Sequence, residues 1–239
     1  MKLLKKIGNR VLWSLPSSGT LRGYDNPELA DFIFRKTKHF TSAEPWPEME
    51  GVSSVLDFGG GSGLHYHRAK RHSPGIRWAV VETPEMCARA SELATENLNF
   101  FHDVQSAAVW LGCPQIVYSN GVLQFTREPV ENLASLCKLG APKMIWQRVL
   151  LSKESYERQS QLSLLSENGP GFSFSRRRVE YDITRIPERV FLEAHTGYRL
   201  TLREGVQSDR DGENFTFIKY FGRSMRPAPA QVRSAFRNR

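Results

Sequence analysis

Between residues 52 and 151 short apolar runs alternate with stretches whose apolar positions recur at helical spacing. The runs at 53–58, 76–82, 98–104, 114–119 and 143–151 predict strands, and the stretches 64–71, 84–97 and 129–139 predict helices. Strands alternating with helices in this rhythm predict a mostly parallel sheet covered on both faces, a three-layer α/β/α sandwich. The end of the chain changes pattern. Residues 198–202 and 214–221 flank a turn-rich stretch at 208–213 and read as an antiparallel hairpin that closes the sheet.

Ahead of the sheet the periodicity is helical. Leu3, Leu4, Ile7, Val11, Leu12 and Leu15 fall near one face, with Lys2, Lys5, Lys6 and Arg10 around it, which predicts a basic amphipathic helix. Asn9 and Arg10 interrupt the apolar stretch that a secretory signal would need. A second helix is expected over 27–39, with Leu29, Phe32, Ile33 and Phe34 turned to the core. Pro45 and Pro47 bracket Trp46 in a linker that cannot continue a helix. The expected organisation is an N-terminal helical segment over 1–50, a ligand-binding domain over 51–222 and a basic, disordered tail over 223–239.

Composition narrows the class. The chain has 239 residues, 40% of them apolar and 24% charged, enough to bury a core and too ordinary for a disordered, collagenous or disulfide-stapled protein. No apolar run approaches the roughly 20 residues that span a bilayer. Cys87, Cys113 and Cys137 form no CxxC pair and no zinc spacing, so buried free thiols in a reducing compartment are expected. The net charge of +8 belongs to the ends. Residues 1–24 and 223–239 each carry five basic residues and no acid, and removing those ten leaves −2 for residues 25–222. A nucleic-acid enzyme would concentrate positive charge around its site, so no nucleic-acid partner is expected.

The chemistry begins where the first sheet strand runs into Asp57-x-Gly59-x-Gly61-x-Gly63. Strand, glycine loop and helix let backbone approach a nucleotide-like ligand closely. The dinucleotide spacing fails, because its third glycine would fall at Leu64 or Tyr66, and no Gly-Lys-Ser/Thr follows for a phosphate loop.

With that loop the sequence resembles the class I S-adenosylmethionine-dependent methyltransferases. Their first motif is matched by Asp57, Gly59, Gly61 and Gly63. Glu82 closes the second sheet strand where the family places the acid that pairs with the ribose hydroxyls, a task for which a carboxylate offers two acceptor oxygens. Asp103 matches the acid that reads the adenine amino group. The resemblance implies S-adenosylmethionine as cofactor and a seven-stranded sheet ending in the antiparallel hairpin. A narrower resemblance rests on residues 57–66, 80–84 and 119–124. It is to a branch of methyltransferases associated with bacterial surface-polysaccharide gene clusters, from which Gln147-Arg148 departs where Asp-Arg is expected.

The family's asparagine-proline-proline-aromatic motif of amino-methylating enzymes is absent at residues 119–122, and no metal trio is identifiable. Metal-independent O-methylation is therefore expected, and the narrower resemblance implies a sugar or glycan precursor as the acceptor, another small hydroxylated molecule being the alternative. A hydroxyl acceptor benefits from a general base. His65, opening the helix after the loop, is the first candidate, and His102 at the end of the third strand is the second. Histidines 67 and 195 read as ordinary packing or surface residues. Asn120, Gln124 and Arg148 are candidates for holding the acceptor, and residues 152–190 for covering it. The competing expectation is a non-catalytic scaffold with the same fold. The expected location is cytoplasmic, with residues 1–22 packed against their own domain over the cleft; the alternative is peripheral contact at the inner face of the membrane through the basic ends.

Overall fold

The computed structural model describes residues 9–38, 44–171, 173–205 and 212–220, and the backbone of 231–233. The chain enters through a helix over 9–14 (α1), then β1 (Thr20–Arg22) and α2 (Pro27–Lys38). The alternating part follows: β2 (Ser54–Phe58), α3 (Leu64–Ala69), β3 (Arg77–Val81), α4 (Pro84–Ala90), β4 (Leu98–Phe101) and α5 (Val104–Leu111). It continues through β5 (Ile116–Asn120), α6 (Pro129–Lys138) and β6 (Lys143–Val149). The last part holds β7 (Leu151–Ser152), β8 (Glu157–Leu164), β9 (Arg178–Pro187), α7 (Glu188–Glu193), β10 (Tyr198–Gly205), β11 (Glu213–Lys219) and β12 (Gln231–Arg233).

The main sheet runs β12-β10-β11-β6-β5-β2-β3-β4. β4, β3, β2, β5 and β6 are mutually parallel, and β11 lies antiparallel to both β6 and β10. The seven expected strands, the two of the closing hairpin among them, are all present, and β12 makes an eighth. Of the tail read as disordered, three residues form β12, parallel to β10; the others lie outside the described residues. Residues 1–8 of the expected first helix lie outside them too. β2 is buried at all five positions, as a strand covered by helices on both faces must be.

Local chemistry sets the helix starts. Thr83 caps α4 by accepting from the Met86 amide at 3.3 Å, and Pro84 fills its first turn. Asp103 caps α5 in the same way, at 2.7 Å from the Ser106 amide. The helix expected over 84–97 is shorter, ending at Ala90 and passing through a single 3-10 turn at Ser91–Leu93. The three cysteines are free, and Cys113 is exposed where a buried thiol was expected.

A second, smaller sheet covers the carboxyl ends of the main strands. β8 and β9 form a long antiparallel ladder, and β1 and β7 pair in parallel with β9. Leu21, Leu29, Leu165 and Val179 form a separate apolar cluster that ties the N-terminal segment to this cap.

Candidate functional site

The glycine loop occupies the end of β2 and the start of α3. Gly61 has φ +59, a left-handed conformation that costs a side chain strain, and its amide donates to Glu82 Oε1 at 2.9 Å. Gly60, outside the motif, is constrained by contact instead: a Cβ there would sit 2.3 Å from Asp57 Oδ2. The loop is thus folded directly over the Asp57 carboxylate.

Asp57 is fully buried and does not line the cleft, so the structure does not place it as a ligand contact. Its Oδ2 accepts from Trp78 Nε1 at 3.1 Å and lies 3.0 Å from His65 Nδ1, while Oδ1 has no hydrogen-bond partner among the described residues. His65 does line the cleft, with its ring edge-on to Tyr118 at 4.9 Å. A carboxylate on Nδ1 fixes the proton there and leaves Nε2 as the basic nitrogen.

Glu82 sits deep in the cleft wall with one backbone donor on each oxygen, Gly61 on Oε1 and Thr83 on Oε2 at 3.0 Å. Burial raises its pKa, opposed by those two donors. Each oxygen keeps a lone pair directed away from its amide. Asp103 stands apart. It caps α5, its side chain is partly exposed, and its Oδ2 lies 3.8 Å from His102 Nε2. Only His102 of that pair lines the cleft, at the rim, with its side chain 73% exposed.

The opposite wall is a network rooted in β5 and β6. Tyr118 donates to Gln147 Oε1 at 2.7 Å and accepts from Asn120 Nδ2 at 3.1 Å. Arg148 donates through Nε to Asn120 Oδ1 at 2.6 Å and through a terminal nitrogen to Asn120 O at 3.1 Å. Arg148 has φ +55, alone among the described non-glycine residues. That turn swings its side chain back over Asn120 instead of along the strand. Asn120 and Arg148 both line the cleft. Gln124 does not: it is buried and donates to Arg148 O at 3.0 Å, so it braces the arginine rather than facing an acceptor. His195 is also in the core, accepting from Trp146 Nε1 at 2.8 Å and bonded through Nδ1 to Phe191 O.

Above these walls lies a roof, built in part from the segment 152–190 expected to cover the acceptor, with an aromatic cluster that no sequence signal marks. Tyr24, Phe125 and Tyr181 form a triangle of rings with centroids 5.0–5.4 Å apart. Burial pushes the Tyr24 phenol well above its ordinary pKa, and a hydrogen bond with Tyr181 and the charge of Glu82 add to this. The three come from the β1–α2 connection, the segment after β5, and β9, so no sequence window joins them. Lys36 of α2 holds the roof to the 165–170 turn, donating to the carbonyls of Ser166, Asn168 and Gly169 at 2.9, 2.6 and 3.4 Å. Walls and roof together enclose a cleft of about 1010 Å³.

No family model and no curated protein matches the chain. Among solved structures it is similar to the CcbJ methyltransferase from Streptomyces caelestis, at 14% identity and a TM-score of 0.50, over 80% of this chain and 97% of that one. It is also similar to the glycopeptide N-methyltransferase MtfA complexed with S-adenosyl-L-methionine, at 12% identity and a TM-score of 0.49 over 89% and 97% of the two chains. The N-terminal domain of EvdMO1 with SAH bound is similar at 14% identity and a TM-score of 0.46, over 81% and 80%. The likeness to CcbJ shows a shared fold and nothing finer.

Proposed function

We propose that this chain is an S-adenosylmethionine-dependent methyltransferase acting on a hydroxyl of a sugar, a glycan precursor or a similar small acceptor. One observation carries the reading: Glu82, with a lone pair left on each oxygen, stands beside an open glycine loop in a cleft large enough for cofactor and acceptor together. Ribose hydroxyls would donate to those oxygens, and the Gly61 position offers open space where a Cβ would stand. S-adenosylmethionine supplies a methyl group on a positively charged sulfur.

The chain's own residues would then align the acceptor and take its proton. Asn120 and Arg148 hold the acceptor side, with Gln124 bracing Arg148 through its carbonyl. His65 Nε2 accepts the hydroxyl proton, and Asp57 keeps the proton on Nδ1 and stabilises the imidazolium that forms. His102 remains as a rim contact. The Tyr24–Phe125–Tyr181 roof excludes water, which would otherwise compete for the methyl group.

Calorimetry with S-adenosylhomocysteine tests the cofactor half. Wild type is expected to bind and Glu82→Ala to lose at least about tenfold, roughly the value of one charge-assisted hydrogen bond. No binding by wild type at millimolar ligand overturns the proposal. Labelled methyl transfer to a panel of sugars and small alcohols tests the other half; cofactor binding without product for any acceptor favours the scaffold instead.

A further inference from the structure

The N-terminal segment presents apolar side chains outward instead of burying them all. Leu12 is buried, so it cannot serve a partner, whereas Val11, Trp13 and Leu15 are 55%, 39% and 36% exposed. The segment is locked against β9. The β1–β9 pairing sets Thr20 opposite Arg178, and the Ser18 amide extends it by donating to Arg176 O at 3.4 Å. Phe174, two residues before Arg176 on the β9 side, is 68% exposed. Val11 and Leu15, four residues apart, fall on one side of the helix, Trp13 falls on the other side of the buried Leu12, and Phe174 adds an exposed ring from the segment before β9.

The charge around them is positive. Arg10, next to Val11, and Arg176, two residues after Phe174, are both exposed. Arg178 lies over the Trp13 ring at 4.1 Å and donates to the carbonyls of Trp13 and Leu15 at 3.3 Å each. The neighbouring acids are engaged: Glu28 pairs with Arg177, Glu180 with Arg22 at 3.5 Å, and Glu167 accepts from Trp13 Nε1 at 3.3 Å. In the sequence, the residues ahead of this helix add Lys2, Lys5 and Lys6 and no acid.

We infer that this surface docks on an anionic lipid bilayer, with Val11, Leu15 and Phe174 entering the headgroup–acyl boundary, Trp13 at the interface, and Arg10 and Arg176 meeting lipid phosphates. A protein groove would satisfy the apolar side chains as well, but exposed arginines flanking scattered apolar tips, without a concave seat, match a fluid negative surface better. A tryptophan whose ring is apolar and whose indole nitrogen already has an acceptor suits the interfacial layer. No described helix is long and apolar enough to cross a membrane, so the contact is peripheral. The surface adjoins the cleft, because Glu167, which holds Trp13, also lines it.

The inference stands apart from methyl transfer and is read without cofactor or acceptor. Full-length protein is mixed with vesicles of phosphatidylcholine alone or of phosphatidylcholine with phosphatidylglycerol, and the bound fraction is measured by flotation at low and high salt. Wild type is expected on the anionic vesicles only, with binding weakened by salt. The triple variant Val11→Ser, Leu15→Ser, Phe174→Ser is expected to bind at least roughly tenfold less, with an unchanged melting temperature because these side chains are exposed. Arg176→Glu should lower the anionic binding as well. Negligible binding of wild type to both vesicles, which is also what a protein groove as the true partner would give, overturns the inference. So does a triple variant that binds like wild type.

Discussion

His65 and Asp57, eight residues apart, meet as a 3.0 Å contact between Nδ1 and Oδ2 beneath the glycine loop. The strand fixes the carboxylate, the loop folds over it, and the first turn of α3 brings the imidazole back to it. The motif's acid therefore acts inward, on a histidine, while Glu82 alone of the two acids faces the cleft.

This pairing predicts distinct effects on binding and turnover. His65→Gln should leave S-adenosylhomocysteine affinity within about threefold while methyl transfer falls by roughly 10²-fold or more, the usual worth of a general base. Asp57→Asn should approach the same loss, since an amide no longer stabilises the imidazolium. Turnover by His65→Gln equal to that of wild type would remove His65 from the mechanism.

Gly60 offers a stricter geometric check. A methyl group there would lie 2.3 Å from Asp57 Oδ2, in a buried carboxylate held in place by Trp78 and His65. Gly60→Ala is expected to cost about 2 kcal/mol or more in chemical denaturation and to weaken S-adenosylhomocysteine at least about tenfold. Gly75→Ala, with nothing near its added Cβ, should stay within about 1 kcal/mol of wild type.

The parts of this arrangement that the sequence announces are those with local signatures. β2, β3, β5 and the 144–146 part of β6 are buried on both faces and mostly apolar, and the glycine loop and Glu82 follow β2 and β3. β8 carries no such pattern: its first six residues are exposed on both faces, so neither alternation nor an apolar run marks it. β1 has three residues and is a strand only because β9 pairs with it. α5 was legible in principle from Asp103 as its cap, but the same acid was read as a ligand for adenine. Gln124 likewise has the polarity of a contact residue and the burial of a brace. Tyr24, Phe125 and Tyr181 meet only in three dimensions.

The roof depends on one ammonium group. Lys36 places three charge-assisted hydrogen bonds on the 165–170 turn, and the cavity beneath needs that turn in place. Lys36→Met keeps the stem and removes the donors. It should cost about 2 kcal/mol and speed amide exchange in 165–170 by at least roughly tenfold, with β2 and β5 amides unaffected. Equal exchange in variant and wild type would show that the aromatic triangle alone closes the roof.

His195 contributes to the loss of stability in acid. Its Nε2 must stay unprotonated to accept from Trp146, its Nδ1–H donates to Phe191 O, and its ring stacks on Phe217 at 3.8 Å. Burial lowers its pKa from 6.5 to about 4. The folded state thus binds this proton less readily than the unfolded chain, so the stabilising contribution is complete above about pH 6.5 and is lost as pH falls toward 4. For this residue alone the loss between pH 7 and pH 5 is about 2 kcal/mol. His195→Gln, which has no proton to gain, should be less stable than wild type at pH 7 because it gives up the stacking and one of the two ring hydrogen bonds. Its stability should nevertheless change less between pH 7 and pH 5 than that of wild type. Urea unfolding of both proteins at the two pH values measures the difference; parallel losses in the two would mean that other groups, and not this imidazole, govern unfolding in acid.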